Sequence, residues 1–218
     1  MPEKCLAQGA ILNRRHCLIG LLGLPGLALP GFAQAFRFED QEFDDGLQMA
    51  GSELVLNGVG KRAEAFVRAY AAGLYMTARA TTPETVLLVP GPKRLQIRML
   101  LDLGRSIPIG INSVDAEEFV KAVNVGVARN CSEAERSALT ERLPLFTQIL
   151  HSIGKVKKRD LINIDYLPGQ GTLVFVNDKQ WGQAVPGADL YAALLKVFVG
   201  DLPIDKRLKA GLLGQSTS

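Results

Sequence analysis

The chain has 218 residues, and its 25 lysines and arginines against 22 aspartates and glutamates give a formal net charge of +3. This balance shows no basic stripe of the kind that binds nucleic acid, and we expect no nucleic-acid partner. Its two histidines and three cysteines argue against mechanisms that need several of these residues.

The N-terminal segment has the three-part layout of a signal peptide. A charged start (Lys4, Arg14 and Arg15) precedes an uncharged run over 17–32 and the triplet Ala33-Gln34-Ala35. The run of about 16 residues is shorter than the roughly 20 needed to span a bilayer as a helix. We predict that residues 1–35 are removed near Ala35, that no transmembrane anchor remains, and that residues 36–218 form one periplasmic or secreted domain. The general and twin-arginine export routes both stay open.

Three strands are predicted in the first half of this domain, over 53–57, 65–77 and 94–101. The alanines of the second also suit a helix. In the third, Leu95, Ile97 and Met99 alternate with polar residues, which is typical of a half-buried strand. An antiparallel arrangement is therefore favoured for this region.

Two helices follow, each opened by a capping-box pattern, Asp115 with Glu118 and Ser132 with Glu135. Pro144 should kink or split the second helix. Cys131, between them, is the one cysteine left after processing, and we expect a buried, unreactive thiol.

The C-terminal third predicts an antiparallel meander and two closing helices. Strands over 161–166, 173–176 and 181–185 are separated by turn sequences. A helix opened by Pro186-Gly187 and ended by Gly200 follows, and then a short helix over 204–213. Lys155, Lys157, Lys158 and Arg159 are interpreted as a solvated loop, with attraction to anionic lipid as the alternative. Without regular βαβ alternation, the order predicts an α+β fold with a mainly antiparallel sheet.

Several kinds of site are disfavoured by the residues present. His151 stands alone in the mature chain, no nucleophile elbow precedes it, and we expect it to bond the last carbonyls of its helix. No metal-ligand spacing is present, so no metal is predicted. Gly58-Val-Gly60-Lys-Arg-Ala63 fits a dinucleotide loop, but glycines that allow a close backbone approach are the favoured interpretation, and no cofactor is predicted.

Motifs in both halves of the chain resemble the chalcone isomerase-like family, especially its exported bacterial branch. The N-terminal ones are Leu56-Asn-Gly-Val-Gly-Lys-Arg62 and Tyr70-Ala-Ala-Gly-Leu-Tyr75. The C-terminal ones are Pro168-Gly-Gln-Gly-Thr172, Asn177, Pro186-Gly-Ala-Asp189, Leu195-Lys-Val-Phe-Val-Gly-Asp-Leu-Pro203 and Leu208-Lys-Ala-Gly-Leu-Leu-Gly214. The resemblance implies an open-faced β-sandwich, in which helices are layered on a large antiparallel sheet and a ligand cleft lies between them.

The resemblance also implies two ligand-binding residues. Family members that cyclise chalcones and members that bind fatty acids both use an arginine at the position of Arg62, and the fatty-acid binders add a tyrosine at that of Tyr70. An arginine and a phenol suit a carboxylate head group. If residues 62–70 formed one unbroken strand, the two side chains would lie roughly 26 Å apart. A turn near residues 63–65 is therefore needed. The alternative is that both residues are structural, with Arg62 in an ion pair and Tyr70 in the core.

The helix after the central strand departs from the enzymes of the family. Where they carry a tyrosine and an asparagine, this chain has Glu117, Phe119, Val123 and Gly126, and Asn124 is out of step. We therefore expect no cyclase activity and predict a non-catalytic binder of a fatty acid or similar small amphipathic ligand. An isomerase, or more specifically an intramolecular lyase, remains one alternative. A structural or assembly protein without a ligand remains the other, and catalytic residues stay unassigned.

Overall fold

A computed structural model describes residues 35–38, 41–64, 67–103 and 113–215. The predicted signal peptide lies outside the described residues except for Ala35, so it stays a prediction, as does the domain boundary. The strands are β1 (Ala35–Phe38), β2 (Gln41–Asp44), β3 (Gly46–Met49), β4 (Ser52–Glu64), β5 (Val67–Met76), β6 (Lys93–Leu103), β7 (Ser113–Asp115), β8 (Lys155–Lys157), β9 (Leu161–Leu167), β10 (Gly171–Val176) and β11 (Lys179–Val185). The helices are α1 (Pro83–Leu88), α2 (Ala116–Asn130), α3 (Glu133–Ala138), α4 (Arg142–Ile153), α5 (Ala188–Val199) and α6 (Lys206–Leu212).

One large antiparallel sheet organises the fold. Its seven strands lie in the order β11-β10-β9-β6-β5-β4-β3, while β1 pairs with β2 and β7 with β8 in separate two-stranded ribbons. The predicted strand over 65–77 corresponds to β5, which pairs with β4 on one side and β6 on the other. The predicted C-terminal meander is β9-β10-β11. The α+β prediction and the open-faced sandwich implied by the family resemblance are both confirmed.

The two faces of the sheet are covered differently. Leu95, Ile97 and Met99 of β6 point into the main core, where they pack with residues of α2 and α5, so the predicted alternation is confirmed. On the opposite face, Phe43 is fully buried and lies under the Arg98 guanidinium, 5.2 Å from the ring centroid. The helix-covered face is therefore the one that can hold a cleft between layers.

Gly58 and Gly60 bring α6 into direct contact with the backbone of β4. A Cβ atom on Gly58 would lie 2.2 Å from the carbonyl oxygen of Gly211, and one on Gly60 would lie 2.5 Å from that of Leu208. Real side chains do not tolerate such distances, so these positions need glycine for packing. The close-approach interpretation of the motif is confirmed. The dinucleotide-loop alternative is wrong, because the antiparallel strand β5 follows β4 where that loop requires a helix.

Asn57, beside this contact, joins three segments through its side chain. Its Nδ2 donates to the carbonyl oxygens of Ala80 at 2.9 Å and Leu212 at 2.7 Å, and its Oδ1 accepts from the Ala80 amide at 2.7 Å. A buried amide with all these partners fixes local geometry, because leaving any of the groups unpaired is costly. The start of the β4–β5 hairpin is therefore tied to the C-terminal helix.

The helices that precede the meander follow the predicted pattern with one exception. Ser132 and Glu135 form their capping box, and the predicted second helix is split into α3 and α4, with Pro144 in the first turn of α4. At the start of α2, Asp115 accepts from the amide of Glu117, and the predicted box with Glu118 does not form. Cys131 is buried as predicted, and burial raises the pKa of its thiol.

The basic segment is solvated as predicted, because Lys155, Lys157, Lys158 and Arg159 are all exposed. Its first part, Lys155–Lys157, forms a short strand, β8, that pairs with β7. The expectation for His151 was wrong. The His151 imidazole does not bond the carbonyls of its own helix: its Nδ1 lies 3.0 Å from Oε2 of Glu117 on α2.

Candidate functional site

Arg62 and Tyr70 lie directly opposite each other on the β4–β5 hairpin. They are Cα partners in the strand register, because the chain reverses between Glu64 and Val67. The required turn is thus present, and the separation of roughly 26 Å along a single strand does not arise. The turn residues themselves, 65 and 66, lie outside the described residues.

The Tyr70 hydroxyl is buried and hydrogen bonded with Arg62. The tyrosine is 2% exposed, and burial raises its pKa to about 12, although the charge of Arg62 and the hydrogen bond to it act in the opposite direction. Since a guanidinium only donates, the phenol oxygen is the acceptor in this bond, and its own hydrogen is not used there. Tyr70 is therefore a neutral phenol at physiological pH.

Half-buried Arg62 also lines a groove of about 370 Å³. One wall is a stripe of α2, on which residues three or four apart share a face. The other wall is the loop after α5. The stripe consists of Glu118, Lys121, Ala122, Val125, Gly126 and Arg129, and the loop contributes Leu202, Pro203 and Ile204. The volume is within the range of small-molecule sites.

The walls of the groove are held by specific contacts. A Cβ atom on Gly126 would lie 2.5 Å from Cγ1 of Val197, so the glycine lets α2 pack closely on α5. Asn130, at the end of α2, donates to the Leu202 carbonyl at 2.9 Å and accepts from the Leu202 amide at 2.8 Å. These two hydrogen bonds fix the loop against the helix.

Charge along the groove is mainly positive. Its lining includes three cations, Arg62, Lys121 and Arg129, and one acid, Glu118. Lys121 donates a hydrogen bond to Glu118 at 3.0 Å, and this bond raises the pKa of the lysine. A lining with more cationic than acidic side chains favours an anionic ligand group.

On α2, the residues near the positions where the family's enzymes carry a tyrosine and an asparagine do not place hydrogen-bond donors in the groove. Phe119 packs beside Tyr70 with ring centroids 6.2 Å apart, Glu117 contacts His151, and Asn124 is exposed outside the groove lining. On α2, the lining residues that sequence reasoning missed include Lys121, Ala122, Val125 and Arg129, and Leu202, Pro203 and Ile204 of the loop after α5 were missed as well. A helical spacing of three and four residues connects the α2 residues, but their mixed chemistry looks like a solvent-exposed face.

A second cavity, of about 350 Å³, lies beside the glycine-rich part of β4. It is lined by aromatic residues of β1, by Asp45 and Arg79, and by the end of α6. Arg62 lines the groove along α2 and not this cavity, while buried Tyr70 lines neither of the two. The groove along α2 is therefore the stronger candidate site.

Within residues 35–38, 41–64, 67–103 and 113–215, no group of three or more histidine, cysteine, aspartate or glutamate side chains is arranged to hold a metal ion. Over the same part of the chain, none of the helices has the length and apolar character needed to cross a membrane.

Comparison with known proteins gives a family and a structural neighbour. A sequence model described as chalcone isomerase-like matches residues 35–214. A crystal structure of a fatty-acid binding protein from Arabidopsis thaliana has a similar fold, with a TM-score of 0.59 and 15% sequence identity over 83% of this chain and 96% of that one. None of the curated protein sequences matches significantly.

Proposed function

This chain belongs to the chalcone isomerase-like family, and from that premise we propose that it is a non-catalytic binder of a fatty acid or similar small amphipathic ligand. The ligand's carboxylate is placed at Arg62 and its apolar part along α2. The proposal includes export, with the mature chain starting near Phe36 in the periplasm or outside the cell.

The observation that carries the proposal is the position of Arg62, which lines an open groove and is hydrogen bonded with buried Tyr70. A guanidinium binds a carboxylate through two parallel hydrogen bonds, and the bond to the buried phenol helps to hold this one in position. The similar fold of a fatty-acid binding protein supports the same ligand class.

The two alternatives make different predictions. An isomerase must polarise a carbonyl with donors placed to within about an ångström, and the α2 residues Glu117, Phe119 and Asn124 are not arranged for this. A structural protein without a ligand has no use for a positively charged groove of about 370 Å³. Both observations favour the binder.

The test is a calorimetric titration of dodecanoate, below its micelle concentration, into residues 36–218. Ala122→Phe should fill the groove and weaken binding at least tenfold, because Ala122 lines it. Ala128→Phe is the matched control, since Ala128 is exposed on the same helix but does not line the groove. No binding by the unsubstituted domain, or equal loss in both variants, contradicts the proposal.

A second measurement separates the binder from the enzyme. Dodecanoate extracted after incubation should be recovered unchanged, and an added chalcone should cyclise no faster than in buffer. Turnover of roughly 1 per second or more, which is ordinary for enzymes, would establish the isomerase instead.

A further inference from the structure

We propose that the mouth of the groove along α2 is a docking surface for a lipid bilayer with anionic head groups. This inference rests on the proposed function, because it concerns how a sparingly soluble ligand reaches Arg62. The surface is defined by Lys121, Val125, Arg129 and Leu202, and is called the rim below.

The first argument is the clustering of exposed apolar residues. In the described part of the chain, the large hydrophobic side chains that are exposed are Phe36, Leu88, Val125, Leu145 and Leu202. Val125 is 48% exposed and Leu202 58% exposed, and the two contribute to opposite walls of the same groove. Single exposed apolar residues are ordinary on protein surfaces. A pair that flanks an open groove indicates a surface that contacts apolar molecules.

The exposure of Leu202 is fixed by its surroundings. Both backbone groups of Leu202 are bonded to the side chain of Asn130, which is held in turn by a hydrogen bond to the Gly126 carbonyl at 2.9 Å. Pro203 follows and restricts the backbone further. The constrained loop therefore holds the Leu202 side chain in solvent. A side chain that inserts into a bilayer interface must be exposed in this way.

The second argument is charge. Lys121 and Arg129 lie on the same helical stripe as Val125, and both are exposed. Glu118 is paired with Lys121, while Asp205 is used to cap α6. Exposed Asp201, next to Leu202, does not line the groove. Each basic residue near an anionic bilayer contributes roughly 1 kcal/mol, which is about fivefold in partitioning.

A bilayer fits the rim better than a protein partner does. A specific protein interface buries roughly 1,200 Å² or more and has a packed apolar centre. The rim has two apolar side chains with a groove between them. A fluid lipid surface can surround these side chains without having a complementary shape.

The test is sedimentation of the ligand-free domain of residues 36–218 with vesicles of phosphatidylcholine and phosphatidylglycerol in equal amounts, at 50 mM salt. The protein should sediment with these vesicles and much less with phosphatidylcholine alone. Val125→Asp with Leu202→Asp should reduce partitioning at least tenfold. The matched control is Leu88→Asp with Leu145→Asp, because these residues are 79% and 50% exposed and do not line the groove. It should change partitioning by less than about twofold.

Charge is tested separately with Lys121→Gln and Arg129→Gln. Each should reduce partitioning about fivefold at low salt, and the difference should shrink at 300 mM salt, where screening is stronger. Thermal melts confirm that the variants fold.

The docking surface is disproved if the unsubstituted domain does not bind anionic vesicles, or if the control pair loses as much binding as the rim pair. Titration of dodecanoate without vesicles separates this from the proposed function. Dodecanoate binding without vesicle binding removes the docking surface alone. Vesicle binding without dodecanoate binding removes the ligand-binding proposal and leaves the rim as a membrane contact.

Discussion

Two neighbouring parts of β4 differ in what faces them. At Gly58 and Gly60 the backbone of α6 lies directly against β4, and a single added carbon would meet it. Two residues further on, Arg62 faces Tyr70 and an open groove. One short stretch of sequence therefore contains a closely packed part and an open, charged part.

Because of this difference, we expect substitutions in one part of β4 to change stability and substitutions in the other part to change ligand binding. The glycines are needed because helix and strand leave no room for a side chain, so changes there should act on folding. Arg62 is half-buried at the edge of the groove, so changes there should act on ligand affinity. Substitutions at the glycines and at Arg62 can test whether stability and binding depend on different residues of β4.

The largest effect is expected for Gly60→Ala. Its Cβ would lie 2.5 Å from the Leu208 carbonyl oxygen and 2.9 Å from the Leu208 Cα, so α6 must move. We expect the free energy of unfolding to fall by about 3 kcal/mol or more, in the range of severe packing defects. Chemical denaturation monitored by circular dichroism measures it.

Gly51→Ala is the control for that substitution. Gly51 has a φ of 75° but no atom within 4 Å of an added Cβ, so only backbone strain of about 1 kcal/mol is expected. An equal loss in both variants would mean that the contact with α6 does not distinguish Gly60.

The next largest effect is expected for Arg62→Ala, and it should appear in affinity. Losing a charge-assisted hydrogen bond costs about 1.5 to 3 kcal/mol, which weakens dodecanoate binding roughly tenfold to a hundredfold. Arg62→Lys should recover part of this, because an ammonium does not bind a carboxylate through a planar fork. Calorimetric titration measures both variants.

Thermal melts and a charge control complete this test. Arg207→Ala removes one positive charge from an exposed position on α6 that does not line the groove, and it should leave affinity unchanged. A large loss of stability in Arg62→Ala, with affinity unchanged, would show that Arg62 is structural.

The sequence predicts the strands of the large sheet better than the way in which they pair. Alternation in residues 94–101 predicts β6, because one face of a half-buried strand must be apolar. The register of β4 against β5 has no comparable sequence signal. The chain from Ala63 to Ala72 is rich in alanine and contains no glycine or asparagine that would indicate a turn. The facing positions of Arg62 and Tyr70 therefore came from the family resemblance and not from local pattern.

The groove was harder to predict for a different reason. Its α2 wall mixes charged and small residues, which is also the composition of a solvent-exposed helix face. The opposite wall depends on the contact between Asn130 and Leu202, 72 residues apart in sequence. Such a contact leaves no local signal, and only the fold brings the two walls together.

A smaller effect is expected for Tyr70→Phe. Tyr70 does not line the groove, but its hydroxyl accepts a hydrogen bond from Arg62. Losing this bond, worth about 1 kcal/mol, should let the guanidinium shift and lower dodecanoate affinity roughly fivefold. Tyr191→Phe is the matched control, because the hydroxyl of this buried tyrosine donates to the Ile164 carbonyl at 3.1 Å. It should lower stability and leave affinity unchanged. Equal affinity losses in the two variants would argue that Tyr70 acts only through the core.

The smallest effect is expected from pH between 6 and 9, over which dodecanoate affinity should vary less than about twofold. A guanidinium does not lose its proton in this range. Burial raises the pKa of Tyr70 to about 12, so its phenol stays protonated until the pH approaches that value. Affinity should fall only below about pH 5, where a carboxylate with a pKa like that of glutamate, about 4.3, begins to be protonated. Titrations at pH 5, 6, 7.5 and 9 measure this profile. A step between pH 6 and 8 would contradict the assignment, because it would show that a group titrating in that range binds the ligand's carboxylate.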